Sequence, residues 1–111
     1  MHYKKWEIAL VPFPFTDLTT TKKRPALIIS PNEYNEKSDV VIVFITSKLD
    51  LEYRIGDYKI QEWEKSNLPK PSMLRMKFAT IDKSIIRKKL GRLSENDVKE
   101  FSNLLIDFFK R

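Results

Sequence analysis

VVIVFIT, Val40 to Thr46, is the densest apolar run in the chain, built of β-branched residues and one phenylalanine. Side chains of this kind pack well on a pleated surface and predict a strand. Apolar residues at consecutive positions leave two faces to cover, so this strand belongs in the middle of a sheet. Upstream, Glu7 to Phe13 reads as a first strand around Ile8-Ala9-Leu10-Val11. Pro12 and Pro14 end it, because each removes a backbone donor and fixes φ. Phe15 to Arg24 is then a long polar loop, Pro25 to Ser30 a short apolar second strand, and Pro31-Asn32-Glu33 the start of a turn.

Downstream the signals are shorter. Leu51 to Ile60 reads as a weak strand or bent hairpin, with Gly56-Asp57 as a turn or bulge. Pro69 and Pro71 make Trp63 to Pro71 a loop. Ser72 to Phe78 alternates, with Met73, Arg75 and Lys77 on one face and Leu74, Met76 and Phe78 on the other. A short basic strand, Ile86 to Leu90, is closed by Gly91. The C-terminus is a helix: Ser94 is a good N-cap, Asp97 approximates a capping box, and Glu95, Asp97 and Glu100 suit the positive end of the dipole. Val98, Phe101, Leu105 and Phe108 recur at helical spacing and form one apolar stripe, read as core packing. Several short strands and one terminal helix predict a mainly β fold, a small, strongly bent antiparallel barrel capped by that helix.

Residues 1–111 suit one domain, large enough to bury a core without disulfides or metals. There is no cysteine, and the single histidine is His2 at the extreme N-terminus. Thiol chemistry, disulfides and cysteine metal sites are excluded, and zinc sites or Ser-His-Asp triads lose their usual ligand or base. No apolar run approaches the ~20 residues needed to span a bilayer, and the first residues lack the apolar core of a signal peptide. The reading predicts a cytoplasmic protein without cofactor, metal or membrane partner. The net charge of +6 is unevenly placed. Residues 70–92 carry eight Lys and Arg against one Asp, whereas residues 31–69 carry five against eight Asp and Glu. Such concentration suggests an anionic partner, with nucleic acid first; a basic surface that only keeps the protein soluble is the alternative.

Four features could carry chemistry. Arg24 follows Lys22 and Lys23 at the mouth of the second strand. A guanidinium there can give two parallel hydrogen bonds to phosphate oxygens, as lysine cannot; a surface arginine in a turn is the alternative. Thr46 and Ser47 emerge from the end of the most buried strand, where rigid scaffolds build sites, though Thr and Ser also cap ordinary turns. The PFPFTD segment puts Phe13 and Phe15 among prolines, beside Thr16. It is either a stiff stacking surface for unpaired bases or a corner of the core. The basic run Arg75, Lys77, Lys83, Arg87, Lys88, Lys89 and Arg92 could line a phosphate track or form a solvated charged face.

Taken in order, LVPFPFTDLTTTKKRPALIIS (Leu10 to Ser30), VIVFITS (Val41 to Ser47), LPKPSMLRM (Leu68 to Met76) and IIRKKLGRLS (Ile85 to Ser94) resemble the MazF/PemK family of toxins from toxin–antitoxin systems. The resemblance implies an SH3-like barrel of the MazF/CcdB type with a terminal helix, acting as a homodimer. It implies a sequence-specific, metal-independent endoribonuclease that cuts single-stranded RNA. Arg24 and Thr46 stand at the family's catalytic positions. Phe15, Thr16, Lys22, Lys23, Ser47, Arg75, Lys77 and Arg87 are the expected RNA-binding residues. RNA cleaves itself when its 2′-OH attacks the adjacent phosphorus, so the enzyme must align that hydroxyl, stabilise phosphoryl charge and manage protons. The expected products are a 2′,3′-cyclic phosphate and a 5′-hydroxyl. Arginine, with a pKa above ~12, is a reluctant base, so the proton acceptor stays open. The implied partner is an antitoxin whose acidic, disordered tail orders on binding. Two alternatives stand beside this: a protein-directed toxin of the gyrase-poison type, and a non-catalytic nucleic-acid-binding barrel. One departure is clear. Trp6-Glu7 replaces the family's usual Gly-Asp, and a tryptophan is expected not to copy a glycine backbone, so the entrance to the first strand should be shaped differently.

Overall fold

The structure is a computed structural model that describes residues 2–12 and 22–111. Six strands form one antiparallel sheet: β1 (Glu7–Pro12), β2 (Lys23–Ile28), β3 (Asp39–Thr46), β4 (Tyr58–Lys59), β5 (Met73–Asp82) and β6 (Lys88–Arg92). Their spatial order is β4-β5-β3-β2-β1-β6. A one-turn helix, α1 (Asn32–Asn35), joins β2 to β3, and α2 (Glu95–Lys110) closes the chain. The sheet curls into a half-barrel. Register shifts at Val43/Phe44 in the β3–β5 ladder and at Ile8/Ala9 in the β1–β6 ladder supply local bends of the kind that curve a sheet.

The run Val40 to Thr46 lies in the sheet's interior, as its composition requires. Val40 and Ile42 join one buried cluster with Ala9, Val11, Ala26 and Ile28. Val43 and Ile45 turn the other way, into a second cluster with Ile8, Leu27, Leu74 and Phe101. The period of two in side-chain direction thus divides one strand between two cores. The stripe of α2 covers the second core: Phe101 is fully buried and Val98 and Leu105 pack beside it.

Several boundaries differ from the sequence expectation. β2 begins at Lys23, so Arg24 is inside a strand and its side chain is set by the sheet. The Pro31-Asn32-Glu33 turn continues into α1, where buried Asn35 donates to the carbonyls of Tyr3 (3.2 Å) and Ser30 (3.1 Å). Of Leu51 to Ile60 only β4 is a strand; Gly56 turns the chain at φ 92°. The last strand lies two residues later than expected, and Gly91 is inside it. A Cβ on Gly91 would fall 2.3 Å from the Ser66 carbonyl oxygen, so glycine serves close approach there.

Trp6 is a further correction. It does take the left-handed backbone expected of glycine, at φ 75°. Its N–H donates to the Ile28 carbonyl (2.7 Å) and its carbonyl accepts from the Leu93 N–H (2.9 Å), which holds it there. The first strand therefore starts as a glycine would start it, with the indole packed against the second core. This turn lies at the far end of β1 from Val11, the residue paired with Arg24, roughly 16 Å away at the rise of a strand.

Candidate nucleic-acid interface

The β2–β3 ladder pairs Ile28 with Ile42, Leu27 with Val43 and Ala26 with Phe44. Continued two residues further, the same register sets Arg24 opposite Thr46. Directly opposed residues share a face of the sheet, and both line one cavity of about 220 Å³. Phe44 and Leu51 form apolar wall, while Lys48, Arg75 and Lys77 complete the cationic lining. A smaller hollow of about 180 Å³ continues past Arg24 to Ser47, Lys70 and Ser72. Arg24 and Thr46 are each half-buried, whereas Lys48 and Lys77 are exposed. The arrangement puts two fixed hydrogen-bonding groups at the base of a positively charged recess with lysines at its rim.

Thr46 is oriented by local chemistry. Its Oγ1 accepts from the Lys48 N–H at 3.1 Å, a short turn of the kind Thr favours. With that lone pair occupied, the hydroxyl proton is directed away from the turn and is available to an acceptor in the cavity.

Arg75 sits differently from a surface phosphate contact. It is 8% exposed, and its guanidinium grips Asp57: Nε to Oδ1 at 3.1 Å and Nη2 to Oδ2 at 2.8 Å. Nη2 also donates to the Glu52 carbonyl at 2.8 Å. Burial alone would push the Asp57 carboxyl up, but hydrogen bonds from Arg75 and from the Arg54 N–H outweigh it and hold the group below its ordinary value. The hydrogen bonds to Asp57 push the Arg75 guanidinium higher still. Asp57 stays an anion and Arg75 a cation across the working pH range.

The expected site residues are thus only partly gathered. Arg24, Thr46, Arg75 and Lys77 meet at one cavity, and Ser47 borders the adjoining hollow. Lys22 and Lys23 are exposed at the entrance to β2. Arg87 is exposed on the β6 side of β1, its N–H donating to the Leu10 carbonyl at 2.9 Å, outside the lining of the cavity that Arg24 and Thr46 share. Phe15 and Thr16 fall outside the described residues. Sequence reasoning missed Lys48, Phe44, Leu51 and Asp57. Lys48 follows Thr46-Ser47 directly and could have been taken with them; Asp57 read only as half of a turn. Among the described residues, no three His, Cys, Asp or Glu side chains are grouped as a metal site needs, and no helix is long and apolar enough to cross a membrane.

Solved structures share this fold at low identity. A mycobacterial endoribonuclease in complex with its cognate antitoxin superposes with TM-score 0.73 at 16% identity, over 96% of this chain and 91% of that one. Toxin MazF-mt6 of Mycobacterium tuberculosis gives TM-score 0.73 at 16% identity, over 94% and 96%. MazE-MazF of Deinococcus radiodurans gives 0.74 at 16% identity, over 98% and 96%. No curated protein matches the sequence. The family model of the PemK-like, MazF-like toxin of type II toxin-antitoxin systems matches residues 4–109. A match over nearly the whole chain, on the fold that the sequence blocks imply, places this protein in the family of PemK-like, MazF-like toxins of type II toxin–antitoxin systems.

Proposed function

We propose that this toxin is an endoribonuclease that cuts single-stranded RNA at Arg24 and Thr46. The observation that carries the reading is the placement of these two side chains opposite each other on the central strands, at the base of one cationic cavity. Endoribonucleases among the structural neighbours support it.

In this reaction the 2′-oxygen of one nucleotide attacks the adjacent phosphorus as the bond to the 5′-oxygen breaks. The 2′-OH loses its proton and the departing 5′-oxygen gains one, leaving a 2′,3′-cyclic phosphate and a 5′-OH. Negative charge gathers on the non-bridging oxygens in between. Arg24 can hold two of those oxygens with its planar fork, and Thr46 can donate its hydroxyl to the phosphate or hold the nucleophile. Lys48 and Lys77 draw the backbone in, and Lys22, Lys23, Ser47 and Arg87 extend its track; Phe15 and Thr16 are further proposed RNA contacts. Single strands suit a site that needs splayed bases and in-line geometry. DNA can bind and cannot react, because it lacks the nucleophile.

The reading includes a homodimer and an antitoxin with an acidic segment that covers the recess. A neighbour solved with its cognate antitoxin supports the second of these. The test is cleavage of a long single-stranded RNA in EDTA, wild type beside Arg24→Ala and Thr46→Ala, with the ends mapped. Cuts at a short recurring sequence, ending in cyclic phosphate and reduced about 10²-fold or more in both variants, are expected from the usual worth of a transition-state donor. Intact RNA with folded wild-type protein overturns the reading.

A further inference from the structure

We propose that Asp57 is a positioning residue of this site, locking the Arg75 guanidinium so that its remaining edge faces the scissile phosphate beside Arg24 and Thr46. The inference rests on the nuclease reading above and assigns a role to a carboxylate that the reaction itself does not require.

A guanidinium has five N–H donors in a rigid plane. Three of those in Arg75 are committed: Nε to Asp57 Oδ1, and Nη2 to Asp57 Oδ2 and to the Glu52 carbonyl. The two on Nη1 remain. Among the described residues Nη1 has no hydrogen-bond partner, yet it is not a sealed-in polar atom, and the open space that Arg75 lines is the cavity of Arg24 and Thr46. The two side chains are 10% and 5% exposed, so solvent does not compete strongly for the pair.

Asp57 is itself fixed from behind. Its Oδ2 accepts from the Arg54 N–H at 2.8 Å, and its own N–H donates to the Arg54 carbonyl at 3.0 Å. Gly56 turns the chain between them at φ 92°, where an added Cβ would lie 2.5 Å from Cγ of Met76. Rigidity therefore runs from a tight turn to a carboxylate, from the carboxylate to a guanidinium, and from the guanidinium to the cavity. Both carboxylate oxygens are occupied, so Asp57 acts through Arg75 and not on the substrate. A donor held in place before the reaction stabilises developing charge without reorganising, whereas the same donor on a loose side chain must be ordered first.

The test is steady-state cleavage by wild type, Asp57→Asn, Arg75→Lys and the double variant, each checked for folding by circular dichroism. Asp57→Asn is expected to lower kcat about 10- to 100-fold, the cost of misplacing a reacting group, with KM within about twofold. The double variant is expected to be no slower than Arg75→Lys alone, because one fork is lost either way. A purely structural pair would lower the melting temperature and leave kcat of the folded protein intact. That result, or additive losses in the double variant, overturns the proposal. Should Asp57→Asn not fold, the wild type decides through its arginine side-chain NMR signals, titrated with an all-deoxy strand of the cleaved sequence. Arg75 Nη signals should move while Nε stays put, and unmoved Nη signals overturn the proposal. Wild type that cuts no RNA sinks the nuclease reading itself, an outcome distinct from an active wild type with an equally active Asp57→Asn.

Discussion

Trp6 holds a left-handed backbone at φ 75°, which costs a non-glycine residue roughly 1–2 kcal/mol. Two backbone hydrogen bonds and the packing of the indole on the second core offset that cost, and the Lys5 ammonium stacks 5.0 Å from the ring centroid. The strain and the packing can be separated by two substitutions that both delete the ring. Trp6→Gly should be more stable than Trp6→Ala by about 1 kcal/mol, the reverse of the usual order within regular structure. Urea titration of the two variants checks it. On the proposed nuclease reading both should match the wild-type cleavage rate, since this turn lies at the opposite end of β1 from Arg24. Gly91 makes the complementary point. Gly91→Ala drives a methyl against the Ser66 carbonyl, and a loss of about 1–3 kcal/mol is expected in the same titration, typical of overpacking.

At the scale of elements, α2 is docked by its first turn as much as by its apolar stripe. Buried Asp97 accepts from the Tyr58 hydroxyl (2.5 Å), from the N–H groups of Gln61 and Glu62 (2.9 Å each), and from the Ser94 hydroxyl (3.1 Å). One carboxylate thus ties the helix to β4 and to the turn after it. Burial alone would raise this carboxyl, but those hydrogen bonds prevail and its pKa falls below the ordinary value; the same contact, with burial, pushes the Tyr58 hydroxyl up. With the folded-state pKa below the unfolded value of about 3.9, the stabilisation is complete above that pH and is lost as pH falls through the folded value. Asp97→Asn should cost about 2–4 kcal/mol at neutral pH by leaving buried donors poorly matched. It should also flatten the acid limb of the stability curve, as melting temperatures between pH 3 and 7 will show. The element pattern was largely legible beforehand. Val40 to Thr46 announced a central strand and Ser94 a helix start, because those signals are local. Ser94 does cap Asp97, accepting from its N–H at 3.2 Å, but the wider role of Asp97 comes from partners more than 30 positions away, which leave no periodic trace. The register shift in β5, the interior position of Gly91 and the Asp57–Arg75 pair were hidden for the same reason. Arg24 and Thr46 were singled out only through the order of four sequence blocks, since each alone reads better as ordinary surface.

For the whole molecule, the proposed RNA binding should depend strongly on charge. The chain carries +6 overall, and the recess adds Lys48 and Lys77 at its rim to Arg24 and Arg75 within. Affinity for a non-cleavable, all-deoxy strand should fall steeply with salt, with a log–log slope of about −0.7 for each phosphate neutralised on a single strand. Replacing Lys48 and Lys77 together by alanine should flatten that slope by about 1.4, read from fluorescence anisotropy across a salt series. The folded protein should otherwise melt as the wild type does, because both side chains are exposed.

Arg24 and Thr46 ride on β2 and β3, the two middle strands of six. Middle strands open last, so amide protons of the paired stretches Ala26 to Ile28 and Ile42 to Phe44, next to the proposed reacting groups, should be among the slowest in the chain to exchange with deuterium. The two strands beneath the recess should then stay paired for as long as the rest of the sheet does. On the proposed reading, an antitoxin should therefore act by occluding the site rather than by melting it locally. On the same reading, a covered copy should stay folded and, once uncovered, should regain activity with no refolding step to delay it.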